Sequence, residues 1–277
     1  MFLVMGLGMQ LIAWPETLLR LFHEGGFRTL VFDQRDAGLS SKLDTAGRPN
    51  FIWANLRKRF GLRVKAAYGI ADMADDVVAI GAALGITDYH LVGVSMGGMI
   101  GQHVAARGPK GLRSFTAIMS SSGAPGLPGP SRESMKVLFA PMPKKADVGA
   151  MADRYVRLFR VIGSPAYPTD ENILRDRARA AVLRAESPDG TLRHMMAILV
   201  DGDRSSLLKR VRVPTLVIHG DADVLVPPEG GKDIASKIPA ARLLLIPGMG
   251  HDLPEGVIET IASAILSLAR EADASAG

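Results

Sequence analysis

The chain has 277 residues, 47% of them apolar and 22% charged, values that exclude a disordered, collagen-like or coiled-coil protein. That length accommodates two domains or one large α/β domain with an ample core. With no cysteine, disulfides, thiol nucleophiles and Cys-ligated zinc or iron–sulfur sites are excluded, and the net charge of +5 raises the question of an anionic partner.

The uncharged start, Met1 to Trp14, superficially resembles the apolar core of a secretion signal. No basic residue precedes it, no small-residue cleavage site follows, and Pro15 and Glu16 end it. It is also too short to span a bilayer. The reading is a buried strand and turn in a soluble, cytoplasmic protein. From there, short apolar runs alternate with segments of helical period, the pattern of a parallel sheet covered by helices. Strands are expected at Phe2–Met5, Thr29–Phe32, His90–Val94, Ser114–Met119, Thr215–His219 and Arg242–Ile246. Helices are expected at Glu16–Glu24, Met73–Leu84 (with Asp72 as its N-cap), Met96–Arg107, Lys232–Lys237 and Glu255–Ala269.

Strands stop after Met119 and resume at Thr215. The stretch between opens with turn residues and then becomes helical and charged, as in Met151–Arg160 and Ile173–Arg184. A long strandless insertion in such an alternation reads as a helical lid. The expected division is a core over 1–122, a lid over 123–210 and the rest of the core over 211–277, with a frayed polar tail at Glu271–Gly277. The basic excess is local: Arg48, Arg57, Lys58, Arg59, Arg63 and Lys65 face no acidic residue between positions 48 and 65. This stretch alone exceeds the net charge, so the remainder is close to neutral. Its apolar residues Phe51, Ile52, Leu56 and Phe60 fit one side of a short amphipathic helix. A solvated basic face is the reading, with contact to an acidic substrate, partner or membrane as the alternative ahead of nucleic-acid binding.

Chemistry concentrates in three places. The segment His90-Leu91-Val92-Gly93-Val94-Ser95-Met96-Gly97-Gly98 contains Gly-x-Ser-x-Gly between a buried strand and a helix. A serine on so sharp a turn needs glycine on either side, because side chains at 93 and 97 would meet backbone. The turn lifts the Ser95 hydroxyl clear of the sheet and leaves the Met96 N–H at a helix N-terminus, suited to an oxyanion. A serine needs a base, and of six histidines only His251 lies on a glycine-bearing loop after the last strand, at the carboxyl edge where α/β ligands bind. The base needs a carboxylate partner. Asp221 and Asp223 follow the preceding strand; Asp223 is far enough past Gly220 to turn back toward the site, and Asp221 serves the turn. The order Ser95, Asp223, His251 completes the constellation.

Together with Met5-Gly6-Leu7-Gly8 after the first strand, these residues resemble the α/β-hydrolase superfamily along nearly the whole chain. Phe32-Asp33-Gln34-Arg35-Asp36-Ala37-Gly38-Leu39-Ser40 looks like the aspartate–arginine–glycine–serine turn of its esterase and lyase-like branch, which includes polyketide methyl esterases. Met5-Gly6-Leu7-Gly8 with Trp14-Pro15 is similar to members of that kind. The resemblance implies Leu7 N–H as second oxyanion donor beside Met96, with Gly6, Gly8 and Trp14 near the substrate. Arg35 and Asp36 are expected to brace their turn. Ser95 in place of aspartate argues against dehalogenase and epoxide-hydrolase relatives. Ser95-Met96-Gly97-Gly98 also looks like the elbow of cofactor-free perhydrolases, which implies peracid formation as a possible side reaction.

The expected function is therefore hydrolysis of small, largely apolar carboxylic esters through an acyl-enzyme, with no metal or organic cofactor. Apolar lid residues Met151, Leu158, Phe159 and Met195 are expected around the substrate. The alternatives are a lactone, a C–C bond or perhydrolysis by the same triad, and, outside enzymes, a ligand receptor on the same fold. Relatives usually carry an antiparallel strand pair ahead of the strand that begins here at Phe2. Without it Thr29–Asp33 becomes a sheet edge, so either the chain starts late or another segment or a second copy covers that edge; edge pairing or a homodimer is expected.

Overall fold

The computed structural model describes residues 1–141, 147–185 and 187–275. In chain order its elements are β1 (Phe2–Val4), α1 (Glu16–Glu24), β2 (Leu30–Val31), α2 (Phe51–Arg59), α3 (Ile70–Ala83), β3 (Tyr89–Val94), α4 (Met96–Arg107) and β4 (Leu112–Ile118). Four longer helices and a short one follow: α5 (Arg132–Leu138), α6 (Val148–Ile162), α7 (Glu171–Arg184), α8 (Pro188–Asp201) and α9 (Ser205–Leu208). The chain then returns through β5 (Thr215–Gly220), α10 (Glu229–Lys237), β6 (Arg242–Ile246) and α11 (Glu255–Ala274).

The six strands form one parallel sheet in the order β2-β1-β3-β4-β5-β6. Parallel strands require crossovers, and the helices that supply them cover both faces, so the central strands read as unbroken apolar runs. β3 and β5 are buried at every position. One apolar layer joins Phe2, Leu91, Ile100, Phe115 and Val217 to α3 and α4, and the other joins Leu3, Val92, Ile118, Ile218 and Met249 to α1 and α11. Because the sheet is parallel, the turns after β3, β5 and β6 emerge on one side, and that is where the polar residues converge.

Some expectations need correction. Asp72 is not the N-cap of α3; the helix begins one turn earlier, behind Gly69, and Asp72 reaches back from the third helical position to accept the Gly69 N–H at 2.7 Å. The expected frayed tail is helical through Ala274, because Ala269 and Ala272 remain buried; positions 276 and 277 lie outside the described residues. For α2 the sequence left the direction of the apolar side open: Ala54 is its only buried residue, and Ile52, Leu56 and the following Phe60 point outward. β2 is only two residues long and is the sheet's edge, with Leu30 and Val31 half-buried.

Candidate active site

The turn between β3 and α4 is built by sterics. Ser95 has φ 55° and ψ −115°, a conformation that a non-glycine residue adopts only when its surroundings hold it there. A Cβ at Gly93 would come within 2.2 Å of the Gly97 carbonyl oxygen, and one at Gly97 within 2.0 Å of the Val4 carbonyl oxygen. The turn is closed by Ser95 N–H donating to Ile118 O (2.9 Å) and by the Ser120 hydroxyl donating to Ser95 O (2.8 Å).

Two loops from the neighbouring strands meet this turn. Asp223 Oδ1 accepts the Leu225 and Val226 N–H groups (2.9 and 2.8 Å), which leaves Oδ2 facing His251 Nδ1 at 2.7 Å. His251 Nε2 lies 3.1 Å from Ser95 Oγ. Burial alone would raise the Asp223 carboxyl. The adjacent His251, together with hydrogen bonds from His219, His251 and the Val226 N–H, instead holds it far below the usual carboxylate range. An ionised carboxylate only accepts, so Nδ1 carries the proton and Nε2 keeps a lone pair aimed at the Ser95 hydroxyl. Asp221 sits apart and accepts the Gly248 N–H at 2.6 Å, bracing the turn that carries the histidine.

Beside the serine lies the loop after β1. A Cβ at Gly6 would sit 3.3 Å from Ser95 Cβ, which places this loop directly against the hydroxyl. Among the described residues, neither the Leu7 N–H nor the Met96 N–H has a hydrogen-bond acceptor. Met96 is also the first residue of α4, where the helix presents partial positive charge. Gly8, with φ 65°, faces Thr191 of α8 and donates its N–H to His194 Nδ1 at 3.2 Å. The site can thus hold a proton acceptor, a hydroxyl and free N–H donors within one small volume. No group of His, Cys, Asp and Glu side chains suited to a metal ion occurs among the described residues.

The other expected substrate contacts come from the first loop and the inserted helices. Trp14 is only 3% exposed and lines a groove of about 730 Å³ with Tyr167, Ile173 and Arg177, a lining that does not include Ser95. Met151, Phe159 and Met195 are half-buried on α6 and α8, and Phe159 packs on Tyr155 at 4.4 Å. Arg35 and Asp36 make internal contacts. Arg35 pairs with Asp76 at 2.6 Å and lies over the Tyr68 ring, while Asp36 accepts two hydrogen bonds from Arg193 at 2.7 Å.

Sequence reading missed several supporting groups. The end of α6 holds the histidine loop: His251 N–H donates to Ile162 O (2.6 Å), and Gly250 N–H donates to Ser164 Oγ, which in turn donates to Asp252 at 2.5 Å. His219 donates through Nε2 to Val226 O at 2.8 Å, with the same nitrogen 3.4 Å from Asp223 Oδ2. His194, fully buried, accepts at Nδ1 from Gly8 and donates from Nε2 to Arg35 O at 2.7 Å. Residues so far apart in the chain leave no local pattern; the one available signal was a histidine inside a helix otherwise read as lid.

Comparison with known proteins shows the same fold. Rhodomycin D methylesterase DauP of Streptomyces sp. (strain C5) is 28% identical over 287 residues, covering 98% of this chain and 90% of that protein. The meta-cleavage product hydrolase CumD of Pseudomonas fluorescens IP01, a mutant complexed with acetates, superposes with a TM-score of 0.71 at 16% identity, covering 98% and 90% of the two chains. The enol-lactonase of Burkholderia xenovorans LB400 gives a TM-score of 0.69 at 18% identity, covering 96% and 89%. The family model described as alpha/beta hydrolase fold matches residues 1–255, and the chain belongs to that family.

Proposed function

We propose that this hydrolase is a serine esterase that cleaves carboxylic esters of small, largely apolar molecules in the cytoplasm. The observation that carries the reading is the continuous chain from Ser95 Oγ through His251 to a buried, ionised Asp223, beside two unengaged N–H groups. Ser95 Oγ attacks the ester carbonyl while His251 Nε2 takes its proton. The Leu7 and Met96 N–H groups hold the resulting oxyanion. His251 then gives that proton to the leaving alcohol, and the acyl group remains on Ser95. Water, deprotonated by the same nitrogen, attacks the acyl-enzyme, and the proton returns to Ser95 as the acid leaves. Asp223 keeps its charge throughout and stabilises the imidazolium.

The methylesterase likeness, at 28% identity, supports methyl esters of apolar acids as the first substrates to try. In this reading residues 123–210 act as a lid over a core formed by 1–122 and 211–277, with Gly6, Gly8, Met151, Phe159 and Met195 contacting the substrate. The test is turnover of a short-chain nitrophenyl ester by the wild type and by Ser95→Ala, with labelling by a fluorophosphonate. Wild type should turn over and be labelled. The variant should lose both, with kcat down about 10⁵-fold or more, while melting normally. Full activity in Ser95→Ala, or an unlabelled and inactive wild type, would overturn the proposal, the latter in favour of a receptor.

A further inference from the structure

We propose that α2 and the loop that follows it form a docking surface for anionic lipid bilayers. α2 lies with its small side against the protein: Ala54 is buried, and Lys58 reaches across to donate to the Leu199 carbonyl of α8. Its opposite side is apolar and open. Ile52 is 82% exposed, Trp53 56%, Leu56 43% and Phe60 71%, and at helical spacing these four share one face. Leu62 continues the surface at 51%. Phe51 stacks on Phe139 at 5.4 Å and extends the patch onto α5, where Phe139 and Met135 are also exposed.

Soluble proteins seldom leave so many large apolar side chains together in water. Here cationic side chains frame them. Arg57, Arg59, Arg63 and Lys65 form no ion pair with an acidic side chain among the described residues. Arg48 is different, lying 3.5 Å from Asp189, and is not counted in the patch; Glu133 on α5 is the nearest acidic residue in sequence to Met135.

An apolar helical face with an interfacial tryptophan, rimmed by Lys and Arg, is complementary to a bilayer whose headgroups are negative. Long basic side chains can keep their charge at the headgroups while the aliphatic residues enter the acyl boundary. A nucleic acid would engage the cations but leave Ile52, Leu56 and Leu62 in water. A second copy related by two-fold symmetry would set one cationic rim against another. Nine helical residues cannot cross a membrane, so attachment is peripheral and reversible; no helix among the described residues is long and apolar enough to cross one. None of this depends on the hydrolytic reading.

The two tryptophans make the test specific, because Trp14 is buried and Trp53 is exposed. Full-length wild type is titrated with vesicles of phosphatidylglycerol and phosphatidylcholine, and with phosphatidylcholine alone, with brominated acyl chains as quencher. The expected result is a blue shift and quenching of Trp53 with the anionic vesicles only, reduced by high salt. Each exposed Lys or Arg is worth about fivefold in partitioning. Arg59→Gln combined with Lys65→Gln should therefore weaken binding about 25-fold, and Ile52→Ser with Phe60→Ser should weaken it as well. All four positions are exposed, so melting should be unchanged. No quenching with wild type, quenching indifferent to these substitutions, a shift that appears on concentrating the protein without lipid, or an equal shift with duplex DNA would each overturn the proposal.

Discussion

Asp223, after β5, and Asp36, after β2, emerge on the same side of the sheet, and both are nearly removed from water, at 3% and 1% exposure. Both resist protonation, by different means. Burial opposes the charge on Asp36, but two hydrogen bonds from Arg193, one from the Leu43 N–H and one from the Tyr68 hydroxyl bring its pKa down to about 2. Asp223 is held down by imidazoles and backbone N–H groups. A guanidinium never yields its proton in this range, so Asp36 and Arg193 form a fixed brace between the β2 turn and α8. An imidazole can accept and release a proton near neutrality. Carboxylate burial alone therefore does not separate the proposed site from a brace; the partner's capacity to exchange a proton does.

Three substitutions and a pH titration break or sharpen this contrast. The largest effect is expected for Asp223→Asn. Its oxygen can still accept from Leu225 and Val226, but its amide would face His251 Nδ1 and favour the wrong tautomer. The expected loss in kcat on a nitrophenyl ester is about 10⁴-fold, with the fold kept; a loss below tenfold would remove the distinction between the two aspartates.

Arg193→Met acts on the other member. It leaves Asp36 buried without its cation and should lower unfolding stability by about 3–5 kcal/mol, measured by denaturant titration. Activity per folded molecule should stay within a few-fold. A large kcat loss in fully folded Arg193→Met would make the brace part of the chemistry.

His194→Ala tests a group that is neither brace nor base. It frees the Gly8 N–H and loosens the Gly6-Leu7-Gly8 loop against Ser95. A displacement of this kind should reduce kcat by about 10- to 100-fold with little change in KM, read by steady-state kinetics. The smallest effect is on stability below neutrality. Burial lowers the His194 pKa from its ordinary 6.5, so below about pH 6.5 the unfolded chain binds a proton that the folded chain refuses. Stability should therefore fall as pH drops from 6.5 toward the folded-state value. The slope should flatten in His194→Gln, measured by melting across that interval.

The elbow was legible because its constraint is local: Gly93, Ser95 and Gly97 adjoin one another, and the clashes they avoid follow from any strand-to-helix turn. The strand–helix alternation was legible for the same reason, since a doubly covered strand such as Leu91–Val94 must be apolar throughout. Helix ends were less so, because Asp72 suits both the N-cap and the third position, and only the packing of Ile70 into the core chose between them. Which way α2 turns its apolar residues was not legible, because they satisfy helical spacing equally well facing in or out.

Alone, the sequence determined the fold class, the strained serine turn and the order of serine, aspartate and histidine, all set by neighbouring residues and by the apolar period of each element. Tertiary structure decided what depends on distance through space. It set His251 between Ser95 and Asp223, assigned Asp221 to the turn, clamped Gly8 with a histidine 186 positions away, joined Arg193 to Asp36 across 157, and turned Ile52 and Phe60 toward solvent. A side chain's type limits what it can bond. Only the packing of elements against one another supplies the partner.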